Sequence, residues 1–151
     1  MTGRTPEKPF LIAQPVSYHH SPTGRCTRGY IAFDLQEGQQ CFLKDQWRTY
    51  SRGTRPEWRT YQRLQHKKVT AIATAIAGGD IGPPGCPQRT KADKYIKKIG
   101  VVERVHSRLV TREIGRPLED YEDSAELLGV CTFALSGTLV FSSALFAAEC
   151  S

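Results

Sequence analysis

The chain has 151 residues, 39% of them hydrophobic and 24% charged, and carries a net charge of +6. That length builds one domain with a core and leaves little for a second. The balanced composition excludes a collagen-like or low-complexity chain.

The charge is unevenly spread. Arg52–Lys68 holds Arg52, Arg55, Arg59, Arg63, Lys67 and Lys68 against Glu57 alone, and Arg89–Lys98 adds a second basic run. Glu113–Glu126 is the reverse, with Glu119, Asp120, Glu122 and Asp123 at its centre. A basic middle points to an anionic partner or, more commonly, to a solvated helix face. The five cysteines are widely spaced and form no Cys-x-x-Cys. This argues against a disulfide framework and for a reducing, intracellular compartment, cytoplasmic or nuclear.

Met1–Pro9 is polar, lacks an apolar signal core and reads as a loose leader. Phe10–Val16 is a short apolar run and predicts a first strand. Ser17–Arg28 is turn-rich loop with His19 and His20. Tyr30–Leu35 alternates as a second strand, Glu37-Gly38-Gln39-Gln40 reads as a hairpin turn, and Cys41–Asp45 returns as the third strand. Trp47–Thr54 reads as polar loop. A helix is expected over about Arg55–Lys67, where Thr54 and Glu57 have capping-box spacing and Pro56 suits a first turn. Trp58, Tyr61 and Leu64 recur at helical spacing and give it a buried face, with Arg55, Arg59 and Arg63 toward water. Val69–Ala77 predicts a fourth strand ending at Gly78-Gly79, with a helical reading left open by its alanines. Asp80–Asp93 reads as loop, Tyr95–Val102 as a strand or ordered arm, and Arg104–Glu113 as a fifth strand stopped by Gly115-Arg116-Pro117. An acidic-capped helix begins in Asp123–Leu128. Leu127–Ala148 then runs for 22 residues without a charge, a membrane-span length diluted by Gly129, Thr132, Ser136 and Ser142.

Lys44 closes the apolar part of Cys41–Arg48, and a strand-end lysine is most often a solvent-exposed ammonium. His19, His20 and Cys26 have metal-binding chemistry but not tetrahedral zinc spacing, so no metal site is assigned. Trp47, Arg48, Tyr50, Trp58, Arg59 and Tyr61 mix aromatic and cationic groups as a single-stranded nucleic-acid surface does, and as an amphipathic helix with an arginine face also does.

Four segments then matter together: Thr23-Gly24-Arg25-Cys26-Thr27, Phe42-Leu43-Lys44-Asp45-Gln46-Trp47-Arg48, Gly79-Asp80-Ile81, and His106–Leu118 with its Gly-Arg-Pro-Leu break. In this order, from about Val16 to Leu128, the chain resembles the fungal-type protein kinase family of mushroom-forming fungi. The resemblance implies an α+β small lobe: an antiparallel five-stranded sheet with one main helix, over residues 10–128, followed by an atypical apolar helix or tail over 129–151. It implies that Lys44 holds the α- and β-phosphates of ATP, and that Glu57 pairs with Lys44 and aims it. Gly24 and Arg25 would belong to the loop over the phosphates. Thr111, Glu113 and Gly115 would line the hinge that receives adenine. Phe42, on the Lys44 face, stands where the family carries a smaller residue and would crowd that site.

The same resemblance sets a limit. Kinase chemistry needs a catalytic-loop Asp, and an Asn and a second Asp that hold Mg²⁺. His106-Ser107-Arg108 and Gly79-Asp80-Ile81-Gly82 lie too early to be those motifs, and the sequence contains no asparagine. The expectation is a small-lobe portion truncated before the catalytic loop, with ATP as ligand, an unassigned protein substrate for the parent kinase, and no catalysis of its own. A basic nucleic-acid-binding module and a membrane protein anchored through 127–148 are the competing readings, neither favoured.

Overall fold

Two short strands share one side of a longer one. In the computed structural model, β1 (Phe10–Ile12) and β2 (Ser17–Tyr18) both pair antiparallel with β3 (Arg28–Asp34), β1 opposite Ala32–Asp34 and β2 opposite Arg28 and Gly29. The structure describes residues 8–18, 24–51, 53–91 and 102–146, with 138–146 as helical backbone only. β4 (Gln39–Thr49), β5 (Ala75–Asp80) and β6 (Arg104–Thr111) complete a six-stranded antiparallel sheet in the order β1-β3-β4-β6-β5. The expected five strands are therefore six. The single run Phe10–Val16 is interrupted before Pro15, which has no N–H to give a ladder, and pairing resumes with Val16 N–H donating to Gly29 O at 2.8 Å. The expected Tyr95–Val102 element lies largely outside the described residues.

The β3–β4 turn falls two residues earlier than expected, at residues 35–38. Asp34 accepts the N–H groups of Gln36 at 3.0 Å and Glu37 at 3.3 Å, and Gly38 takes the left-handed φ of +65° that closes the turn. β4 also runs past the expected loop start at Trp47. Its partner β6 stays in register from Phe42↔Thr111 to Thr49↔Arg104, so this polar stretch is paired as strand along its length. β5 lies later than Val69–Ala77. Lys68 and Ala71 adopt positive φ, and the strand passes through Gly78-Gly79 to Asp80 instead of stopping there.

Strand alternation divides the core. Ala32, Cys41, Leu43 and Val110 are buried on one face, with Phe10, Tyr30, Ile76 and Ala77 against them. Leu109 and Val105, also buried, point to the other face, directly across from Lys44 and Arg48. Helix α1 (Glu57–His66) packs on β5 on that second face and buries Leu64. It comes close because Gly78 has no side chain: a Cβ there would stand 2.7 Å from Trp58 Cβ and 3.2 Å from Arg108 O. The expected capping box is not formed. Pro56 is the N-cap, without a side-chain cap bond, and the Thr54 hydroxyl bonds Ser51 Oγ at 2.6 Å. Glu57 is drawn elsewhere.

A 3₁₀ turn at Leu118–Asp120 leads to α2 (Ser124–Phe146), which Asp123 caps by accepting the Glu126 N–H at 2.8 Å. Arg116 pairs with Glu122 and Glu126 beside this cap. Leu128, Phe133 and Leu135 are exposed, while Gly137 touches the Ala71 backbone. The Thr132 and Ser136 hydroxyls donate to carbonyls one turn back, at 2.8 and 2.9 Å. Among the described residues no helix is long and apolar enough to cross a membrane; residues 147 and 148 of the apolar run lie outside them. Among the described residues the domain is thus α+β, with an antiparallel sheet and two α-helices.

Gly78→Ala is expected to destabilise the fold by about 1–3 kcal/mol through overpacking under Trp58. Gly79→Ala, where a Cβ meets nothing within 4 Å, serves as the control. Urea unfolding of both checks this; equal losses would show that Gly78 is not a packing constraint.

Candidate functional site

Successive even-numbered residues of β4 carry polar groups to one face. Lys44, Gln46 and Arg48 stand in a row there because side chains alternate along a strand. α1 crosses this face and delivers Glu57 from its first turn. Lys44 Nζ donates to Glu57 Oε1 at 2.8 Å and to Oε2 at 2.9 Å, and Gln46 Nε2 donates to the same Oε2 at 2.7 Å. Gln46 is buried, and its Oε1 has no partner. It braces Glu57 from the inner side while the ion pair faces outward, with the Lys44 and Glu57 side chains 29% and 33% exposed. An ammonium has three N–H donors, so Lys44 keeps one for an external anion.

The walls of this site come from the neighbouring strands. Gly29 stands opposite Lys44 on β3. A Cβ at Gly29 would lie 2.6 Å from Phe42 Cζ and 2.4 Å from Ser17 Oγ, so the Phe42 ring leans over the glycine beside Lys44. Leu11, Ile31 and Phe33 are exposed further along this face. Gly24 and Arg25 sit at the other end: Arg25 O accepts the Trp47 N–H at 2.8 Å, and Cys26, at φ +46°, turns the loop so that its thiol meets Gly24 O at 3.7 Å. Thr111, opposite Phe42, is buried and donates its hydroxyl to Glu113 O at 3.3 Å. The Glu113 carboxylate accepts the Thr74 N–H at 2.6 Å and so secures the approach to β5. Gly115 is exposed with open space around its Cα. The structure thus joins Lys44 to Glu57 directly, sets Thr111 opposite Phe42, and joins the Gly24–Arg25 loop to β4 at Trp47.

Several partnerships were missed by sequence reasoning. Gln46 shares the Lys44 face, which period-two counting alone reveals; its bond to Glu57 depends on where α1 lands. Arg48 Nε and its terminal nitrogen bond the two Asp80 oxygens at 2.8 and 2.6 Å. On the opposite face His106 Nε2 meets Asp45 Oδ1 at 2.7 Å and Nδ1 meets Gln88 Oε1 at 2.9 Å, while Arg108 Nε donates to Asp45 at 2.7 Å. Trp47 stacks on the His106 ring with centroids 4.8 Å apart. These contacts give Asp80, His106 and Arg108 structural employment in the sheet. Among the described residues no three His, Cys, Asp or Glu side chains converge as a cation site; His19 and His20 lie outside them. Cys41, Cys86 and Cys131 are in no disulfide, and burial pushes the Cys41 thiol up.

Comparison with protein-family models, with curated proteins and with solved structures returns no match.

The Arg48 guanidinium holds the Asp80 carboxyl below the ordinary aspartate range through its hydrogen bonds. Such a carboxyl contributes stability that is present above its unfolded pKa and lost as pH falls through the folded one. Stability should therefore decline as pH drops below about 4. Asp80→Asn should be less stable at neutral pH and show a shallower acid limb. Urea unfolding across an acid pH series reads both; an unchanged acid limb in the variant would show that the pair is not a source of stability.

Proposed function

We propose that this chain is the small lobe of a fungal-type protein kinase and that Lys44, aimed by Glu57, holds the phosphates of ATP. The observation that carries the reading is the two-pronged ion pair between a lysine inside a central strand and a glutamate on the helix that follows it. A strand lysine paired to a helix glutamate is the arrangement protein kinases use to place the α- and β-phosphates. The order of elements supports it: a strand, a hairpin whose second arm carries the lysine, a helix, then two antiparallel strands. The glutamate stands in the first turn of α1 rather than deeper, and the Gln46 bond from the floor of the site supplies the orientation that depth would otherwise give.

The residues present suit a polyphosphate. Lys44 retains one donor and is partly exposed, and the Gly24–Arg25 loop meets the same strand three residues on, at Trp47. Thr111, Glu113 and Gly115 take the adenine side of the proposal, where the Phe42 ring narrows the space beside Gly29. ATP, when bound, supplies the γ-phosphoryl group. This chain's contribution is to hold and orient it, because the asparagine needed to keep Mg²⁺ in a kinase does not occur in its sequence. Phosphoryl transfer to Ser or Thr belongs to the full-length family, the chain by itself is inactive, and its place is the cytoplasm or nucleus.

A fluorescent ADP analogue titrated into the full chain is expected to bind, and Lys44→Ala to weaken it about tenfold or more, the worth of a charge-assisted bond. Glu57→Gln should weaken it less. Urea unfolding of each variant separates loss of binding from loss of fold. Equal binding by wild type and Lys44→Ala would refute the phosphate role, and turnover of MgATP that disappears in Lys44→Ala would refute the inactivity.

A further inference from the structure

The basic run preceding and forming α1 is not used by the Lys44 site. It lines an open groove of about 1310 Å³, between the outer side of the helix and the segment leading into it, with Arg55, Arg59, Arg63 and His66 along it and the Arg48–Asp80 pair at its floor. Asp80 is the single carboxylate on this lining, and Arg48 grips both of its oxygens. Among the described residues, no carboxylate forms an ion pair with Arg55, Arg59 or Arg63. The groove therefore keeps an unneutralised positive field in a concavity, where charge is focused rather than dispersed.

The aromatic groups decide what kind of anion fits. Single-stranded nucleic acid needs bare ring faces on which bases stack. Here Arg59 lies over the Trp58 ring at 5.3 Å, and Tyr50 has Arg89 at 4.4 Å and Arg48 at 5.9 Å from its centroid. The rings already carry guanidinium groups, so cations and not π-faces are offered to a ligand. Arg59 and Arg63 are four residues apart on α1, about 6 Å along the helix axis. Alternate side chains of an extended peptide repeat at about 6.7 Å on one face. Planar guanidinium forks take carboxylates two bonds at a time.

We infer that this groove docks an extended acidic peptide of a partner protein, with carboxylates at alternate positions meeting Arg59 and Arg63 and a further acid meeting Arg55. The partner lies along α1, the helix that carries Glu57, so its docking and the Lys44–Glu57 pair share one element. The inference does not depend on ATP binding.

Fluorescence anisotropy with a labelled peptide of alternating Glu and Ser, added to the full chain at low salt, tests it. The peptide should bind, weaken as NaCl rises, and lose about tenfold or more in affinity in R59Q/R63Q. K91Q, a surface substitution outside the groove, should bind as wild type. Thermal unfolding of R59Q/R63Q shows whether its fold is kept; if it is not, R55Q alone, which lies before the helix, must still weaken the peptide. Wild-type affinity in the folded R59Q/R63Q, or in R55Q where that variant replaces it, overturns the inference. So does a labelled oligothymidylate that binds where the peptide does not, which would make the groove a nucleic-acid site. Salt-labile self-association without peptide binding overturns it in favour of a second copy of the chain.

Discussion

Strand β4 is hydrogen-bonded on both sides, by β3 and by β6, and the rest of the structure is placed relative to it. Continuous pairing locks its register, and locked register fixes which side chains face which way. One face receives Cys41 and Leu43 and becomes core. The other receives Lys44, Gln46 and Arg48, three polar groups that would be costly there without partners. α1 and β5 bring those partners as Glu57 and Asp80. The two ion pairs and the Gln46 bond lie on one face of the sheet, and the first turn of the helix is held both by the polar contacts of Glu57 and by Trp58 against Gly78.

This arrangement explains how a short helix keeps a definite position. Ten residues bury little apolar surface, and α1 sinks only Leu64 completely. Close approach at a glycine adds packing, and the Glu57 carboxylate, accepting from both Lys44 and Gln46, adds direction. The same compactness leaves the outer side of α1 to its arginines. The Lys44 site and the basic groove border the same helix and differ in charge: Lys44 is paired with Glu57, while Arg55, Arg59 and Arg63 line the groove above the Arg48–Asp80 pair.

Much of this was legible in the residues. The α1 boundaries, the Tyr30–Leu35 and Arg104–Glu113 strands and the acidic cap of the last helix follow local rules, and the structure places them within about two residues. The misplaced elements have a common cause. Trp47-Arg48-Thr49 looks like loop because it is polar, yet it is strand because His106 and Asp80 receive its side chains from positions far along the chain. Gly78-Gly79 looks like a stop, yet it is strand because Trp58 needs the vacancy. Thr54 and Glu57 have capping spacing, yet Glu57 meets Lys44 instead, since a buried amide and an ammonium compete for the carboxylate more strongly than a solvated backbone N–H does.

The sequence by itself determined where polar and apolar residues alternate and which helix face is cationic, whereas the pairing of Lys44 with Glu57 was implied only by the family resemblance. Local spacing is enough for the alternation and the cationic face because they depend only on the periods of strand and helix. Only the tertiary structure decided that Lys44 and Glu57 meet, that Gln46 joins them, that Asp80 and His106 are held by β4, and that guanidinium groups lie over the Trp58 and Tyr50 rings. Each of these is a contact between residues distant in sequence, set by the register of β4 and the landing of α1.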